Sequence, residues 1–214
     1  MLKIFGKEID LDKSKILFGV PFNDESFEKH YDICKDKWTL EGDWLAGMDY
    51  GIILTKEDFY GDVLIEFESR TVPPSTHDII FVLNAAWDSI NNRHKTGYIG
   101  ALEGWYEGKA GIEKAPEEIP IALTPLFDFN PGQIYHIQAG NIQGHLFIFV
   151  DGKLIIEAID HNPIDSEKFG KVGFDAYDSH VQYRNLKILR PMWKKIEEKY
   201  EPENYLSFTE DIYL

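Results

Sequence analysis

The sequence predicts an all-β chain, a sandwich of two antiparallel sheets with one short C-terminal helix, and three observations carry that expectation. In DVLIEFESR, Val63, Ile65 and Phe67 alternate with Asp62, Leu64, Glu66 and Glu68, the period of two that puts one face of a strand in a core. In HLFIFVDGKLII, two β-branched and aromatic runs flank Asp151 and Gly152, a dipeptide that accepts the positive φ angles of a tight hairpin turn. The other apolar runs are short, numerous and parted by turn residues such as Pro73, Pro74, Pro131, Gly132 and Pro163, and long alternating helical patterns are absent.

In chain order, further strands are expected at 15–21, 44–48, 51–54, 78–84, 98–105, 111–114, 133–139, 170–175 and 182–189. Each is a short run rich in β-branched or aromatic residues with turn residues at its ends. The helix is expected after the last strand. Pro191 suits a first helical turn, and Trp193, Ile196 and Tyr200 recur at helical spacing until Pro202. No repeat, low-complexity tract or linker interrupts the 214 residues, so residues 1–214 read as a single domain, with 191–214 a helix and tail packed on it.

Acidic residues outnumber Lys and Arg by 37 to 22, a net charge of −15 that repels phosphate backbones and anionic head groups, so neither nucleic acid nor a membrane surface is an expected partner. The amino-terminal MLKIFGKEIDLDKSK lacks a secretory apolar run, and no later segment is long and apolar enough to span a bilayer. A single cysteine, Cys34, excludes an internal disulfide and favours the reducing cytoplasm, where it reads as a structural thiol. Asp175, Asp178 and His180, like the pair Asp160 and His161, do not match a zinc spacing, and phosphate loops and nucleotide fingerprints are missing. The expectation is no metal and no cofactor.

The order PFNDESFEKHYD, WTLEGDWLAG, LTKEDFYGDVLIEFESR, the Asp-Gly hairpin and GKVGFDAYDSHVQYRNLKIL resembles the concanavalin A-like lectin and glucanase superfamily. Within it the chain is most similar to the YesU-like family, with a more distant likeness to the 3-keto-disaccharide hydrolase domain family, over roughly Lys15 to Leu189. The resemblance implies a jelly-roll sandwich that holds carbohydrate on its concave sheet. It also implies a bacterial protein linked to breakdown of plant cell-wall polysaccharides such as rhamnogalacturonan, acting as a hydrolase or lyase or binding sugar without catalysis. Fold alone does not decide between these. A homodimer is compatible with it.

The stretch GYIGALEGWYEGKAGIEKAP then becomes the candidate site. If one strand runs from Tyr98 to Glu107, then Glu103, Trp105 and Glu107 share a face. An indole covers the apolar face of a pyranose, and carboxylates accept hydrogen bonds from its hydroxyls. Trp105, Trp87, Asn84 and Gln138 are the expected sugar contacts. Hydrolases of the superfamily carry Glu-x-Asp-x-Glu on one strand, and EGWYE keeps the outer acids with Trp105 in place of the central Asp. Four strand residues span about 13 Å, so Glu103 and Glu107 stand as candidates for acid, base or hydroxyl recognition. His136, on the same face as Gln138, is the expected proton carrier. Arg93, His94, Lys95 and Lys109 form a cationic patch that suits an acidic sugar.

Overall fold

The computed structural model describes residues 1–104 and 108–197. Among these the chain is all-β but for one short helix, in the order β1 Leu2–Ile4, β2 Lys7–Phe18, α1 Asp24–His30, β3 Tyr31–Glu41, β4 Trp44–Thr55, β5 Val63–Thr71, β6 Ile79–Asp88 and β7 Arg93–Leu102. Then come β8 Ala110–Ala115, β9 Ile119–Thr124, β10 Tyr135–Ile142, β11 His145–Val150, β12 Lys153–Ile159, β13 Lys171–Asp175 and β14 Val181–Lys195. No described helix is long and apolar enough to cross a membrane.

Every pairing is antiparallel, and the strands join into one hydrogen-bonded path, β12-β11-β10-β5-β14-β4-β13-β6-β7-β8-β9, with β2 added on β14 and β3 on β4. Instead of two separate sheets, one sheet folds over until its ends meet: β12 returns against β9 and β8. There Asp160 takes Tyr98 Oη and Lys114 Nζ, each at 2.9 Å. The main core lies between the two halves. Phe67 of β5 packs edge-on against Phe81 of β6 and Phe174 of β13, at 5.7 and 5.1 Å between ring centroids.

Strand alternation assigns the faces. On β6, Ile79, Phe81 and Leu83 enter this core, while Ile80 and Val82 join a smaller cluster with Ile99, Ala101 and Ala115 on the outer face. Gly100 permits the core side of this arrangement, because a Cβ there would meet the Phe81 ring at 2.3 Å. A third cluster, covered by β1 and β2, seals the other half around Leu64, Phe147 and Leu189.

The Asp-Gly hairpin forms as expected, with Asp151 and Gly152 at φ +50° and +79°, joining β11 to β12. The expected runs 44–48 and 51–54 are one strand, β4, interrupted at Asp49, where φ is +58°. Pro191 to Lys195 continues β14 along β2 instead of opening a helix, because Trp193 and Lys195 pair with Ile9 and Lys7. The rest of the expected helix and tail, Tyr200 and Pro202 included, lies outside the described residues. The helix that does form, α1, has a reciprocal cap: the Asn23 side chain accepts from Ser26 N, and Ser26 Oγ accepts from Asn23 N, both at 2.9 Å.

Candidate functional site

A row of paired residues crosses the outer face: Lys35 on β3, Ile52 on β4, Asp175 on β13, Ile80 on β6, Ala101 on β7 and Gly111 on β8. Directly paired residues point to the same side. A second row runs Gly173, Val82, Ile99, Glu113. Small and apolar side chains thus form a floor, with Asp175 and Glu113 standing out of it.

The end of the β6–β7 hairpin bends over this floor. By register, Asp175 is opposite Ile80 whereas His94 is opposite Trp87, seven residues further along and roughly 23 Å away on a straight strand. Yet His94 Nε2 lies 2.9 Å from Asp175 Oδ2. Register shifts around Asn84 to Ala86, with Asn84 at φ +48°, make the turn. A cavity of about 440 Å3 results, bounded by Ile80, Ile99 and Ala115 below, His94 and Arg93 on the hairpin, and Glu113, Glu118, Asp78 and Asp175 around it. Lys35, Tyr50 and Tyr177 line its other rim. The tyrosines are 43% and 56% exposed and meet edge-to-face at 5.0 Å.

The cavity perturbs its ionisable groups. Glu113, buried, is pushed up to about 7, first by burial and then by the Glu118 and Asp175 charges, with His94 pulling the other way. Asp78 rises to about 6 for the same first reason, despite its 2.6 Å contact with His77 Nδ1. Burial draws His94 down, but the Asp175 charge and hydrogen bond outweigh it and leave His94 above its ordinary 6.5. Three buried atoms of these lining residues, Asp78 Oδ1, His94 Nδ1 and Asp175 Oδ1, have no hydrogen-bond partner. Unpaired buried polar atoms are costly, and here they gather around one hollow. Among the described residues no group of three or more His, Cys, Asp or Glu is placed to hold a metal.

The residues singled out in the sequence are dispersed. Arg93 and His94 line the cavity, but His94 is bound to Asp175 and is not part of an open cationic patch. Trp87 packs edge-on against His94 at 5.6 Å. The strand expected to run from Tyr98 to Glu107 stops at Leu102, and Glu103, at φ +51°, turns away: its carbonyl accepts from Asp78 N at 3.0 Å and its carboxylate from Gly108 N at 2.9 Å. The alternation meant to align Glu103 with Trp105 and Glu107 therefore does not extend past Leu102. Trp105 and Glu107 lie outside the described residues. Lys109 is half-buried just before β8.

Asn84 is fully buried, accepting from Asn141 Nδ2 at 2.8 Å and donating to the Phe169 carbonyl at 3.2 Å. His136 lines a separate hollow of about 370 Å3 on the other half, with Glu66, Glu68 and Lys187. Gln138 and Lys187 donate to Glu66 at 2.8 and 2.7 Å, and His136 Nε2 is 3.8 Å from it. The one Phe among its described lining residues, Phe67, is fully buried. Tyr50, Tyr177, Asp78 and Glu113 went unrecognised as site residues. Glu113 carried a signal: in AGIEKA it occupies the parity of Gly111 and Ala115, a carboxylate among small residues.

No family model matches the sequence, and no curated protein matches it. Solved structures do. A protein with a galectin-like fold from Bacillus subtilis aligns with a TM-score of 0.65 at 12% identity, covering 83% of this chain and 97% of its own. The carbohydrate-binding module CBM66 from the same organism aligns at 0.57 and 16% identity, over 75% and 95%. A chain solved in work on endo-acting O-glycanases of the human gut microbiota aligns at 0.57 and 9% identity, over 82% and 99%. At these identities the likeness defines the fold alone, a galectin-like one.

Proposed function

We propose that the chain binds an oligosaccharide in the cavity between the bent β6–β7 hairpin and Tyr50 and Tyr177. The observation that carries this reading is the pairing of two exposed aromatic rings with a ring of carboxylates on one small-residue face. Tyrosines cover the C–H faces of a sugar, and the acids accept its hydroxyls. The galectin-like fold supports it, since the aligned CBM66 is a carbohydrate-binding module. The YesU-like resemblance makes fragments of plant cell-wall polymers, rhamnogalacturonan among them, the first ligands to try, with the cytoplasm as the setting.

The test is a thermal-shift and calorimetric panel of neutral, acidic and amine-bearing oligosaccharides. A ligand at a hundred times its Kd adds about 2.7 kcal/mol of stability. Tyr50→Ala and Tyr177→Ala are expected to weaken binding about tenfold each, from the loss of about 1.4 kcal/mol of ring contact, with little change in unfolding because both rings are exposed. Full affinity in both variants would remove the cavity from the proposal.

A hydrolase working from the same cavity is the second reading. It is favoured by Glu113, whose titration near 7 suits a general acid at neutral pH. Its test is turnover of any ligand that the panel finds. Glu113→Gln should then abolish rate while leaving binding measurable.

A further inference from the structure

Glu113 and Glu118 form a like-charged pair at the end of the cavity, one on β8 and the other in the turn that leads to β9. His94 makes its ion pair with Asp175 and acts on Glu113 and Glu118 through its charge alone. Three cations line the same cavity. His94 is held by Asp175 at 2.9 Å, Lys35 Nζ sits 5.6 Å from the Tyr50 ring centroid, and Arg93 is exposed at the hairpin end. Asp78, 3% exposed, lines the same hollow with one carboxylate oxygen unpartnered. Lys35 over Tyr50 is itself an ammonium against an aromatic face within this cavity, the contact that a cationic ligand would make with Tyr177 beside it.

On this basis we infer that the site prefers an oligosaccharide bearing a free amine over a neutral or acidic one, with the ammonium seated between Glu113 and Glu118. The inference rests on the saccharide reading above and narrows its ligand class. It reverses the expectation of an acidic sugar, because an anion beside Glu113 would add to the Glu118 and Asp175 charges already there. The upward displacement of Glu113 agrees: the Glu118 charge already hinders its ionisation, and a bound cation relieves that repulsion.

The experiment is calorimetry at pH 6.5 with three oligomers of equal length: β-1,4-linked glucosamine, its N-acetylated counterpart and galacturonate. The amine oligomer is expected to bind at least about tenfold tighter than the acetylated one, by the size of one partly desolvated ammonium–carboxylate contact, and to weaken with added salt while the acetylated one does not. Glu113→Gln and Glu118→Gln should each lower the ratio of amine-oligomer to acetylated-oligomer affinity, and the double variant should bring that ratio to about one. Equal or tighter binding of the acetylated or uronate oligomer overturns the inference and leaves the saccharide site standing. Failure of these three and of the wider panel to bind removes both.

Discussion

Replacing Glu113 by Gln should stabilise the protein, and only at neutral and alkaline pH. In the folded state this carboxyl titrates at about 7 against an ordinary 4.5, because it is buried and, second, lies beside the Glu118 and Asp175 charges. Between those two values the native state holds a proton that the unfolded chain has lost. Stability therefore falls as pH rises through that window and is level above it. At about 1.4 kcal/mol per pH unit the full displacement is worth about 3 kcal/mol, and solvent in the open cavity screens this to about 1–2 kcal/mol. Glutamine has nearly the shape of the protonated acid and never ionises, so the variant avoids the loss. Urea titrations of both proteins at pH 4 and pH 8 measure it. The variant should gain about 1–2 kcal/mol at pH 8, or about 2–8 °C in Tm, and almost nothing at pH 4. A gain of equal size at both pH values, or a loss at pH 8, would refute the burial of Glu113 beside Glu118 and Asp175.

Asn84→Ala should destabilise by about 2–4 kcal/mol, since it strands Asn141 Nδ2 and the Phe169 carbonyl in the interior, while sugar affinity of the folded fraction stays unchanged. Asp175→Asn should lower the His94 pKa, because burial remains while the largest of the opposing charges is gone and only those of Glu118 and Glu113 are left; an NMR titration of the imidazole reads this. By linkage, the stability that His94 draws from Asp175 is complete below its unfolded value and is lost as pH climbs through the folded one. Burial pushes the Cys34 thiol up to about 12, so its alkylation at pH 8 should run at least about tenfold slower than that of an exposed cysteine; a rate matching an exposed thiol would contradict the packing of β3.

The strands were legible because alternation is a local property: Val63, Ile65 and Phe67 all prove buried, and Asp151-Gly152 turns where its φ preferences demand. The helix after Pro191 was misread because three apolar residues at helical spacing also suit a strand whose partner is remote in sequence, and β2, nearly the whole chain away, supplies that partner for β14. That β7 ends at Leu102, before Glu103, was hidden for a related reason. Nothing in LEGWYEG reveals that the Asp78 amide takes the Glu103 carbonyl and turns the chain off its strand.

What the sequence determined by itself was the class of structure and the sign of its surface: antiparallel β, acidic, with a lone cysteine. Periodicity and charge are sums over neighbours along the chain, so they survive without coordinates. The cavity was decided only by tertiary structure. His94 and Asp175 are eighty-one positions apart and meet because the end of the β6–β7 hairpin bends back toward β13, the strand beside β6. Tyr50 meets Tyr177, and Glu113 faces Asp175, because the registers of β4, β13, β6, β7 and β8 bring one parity of each strand to the same side. A shift of one residue in any of those registers would have turned its side chain into the core, and that choice is made by packing between strands.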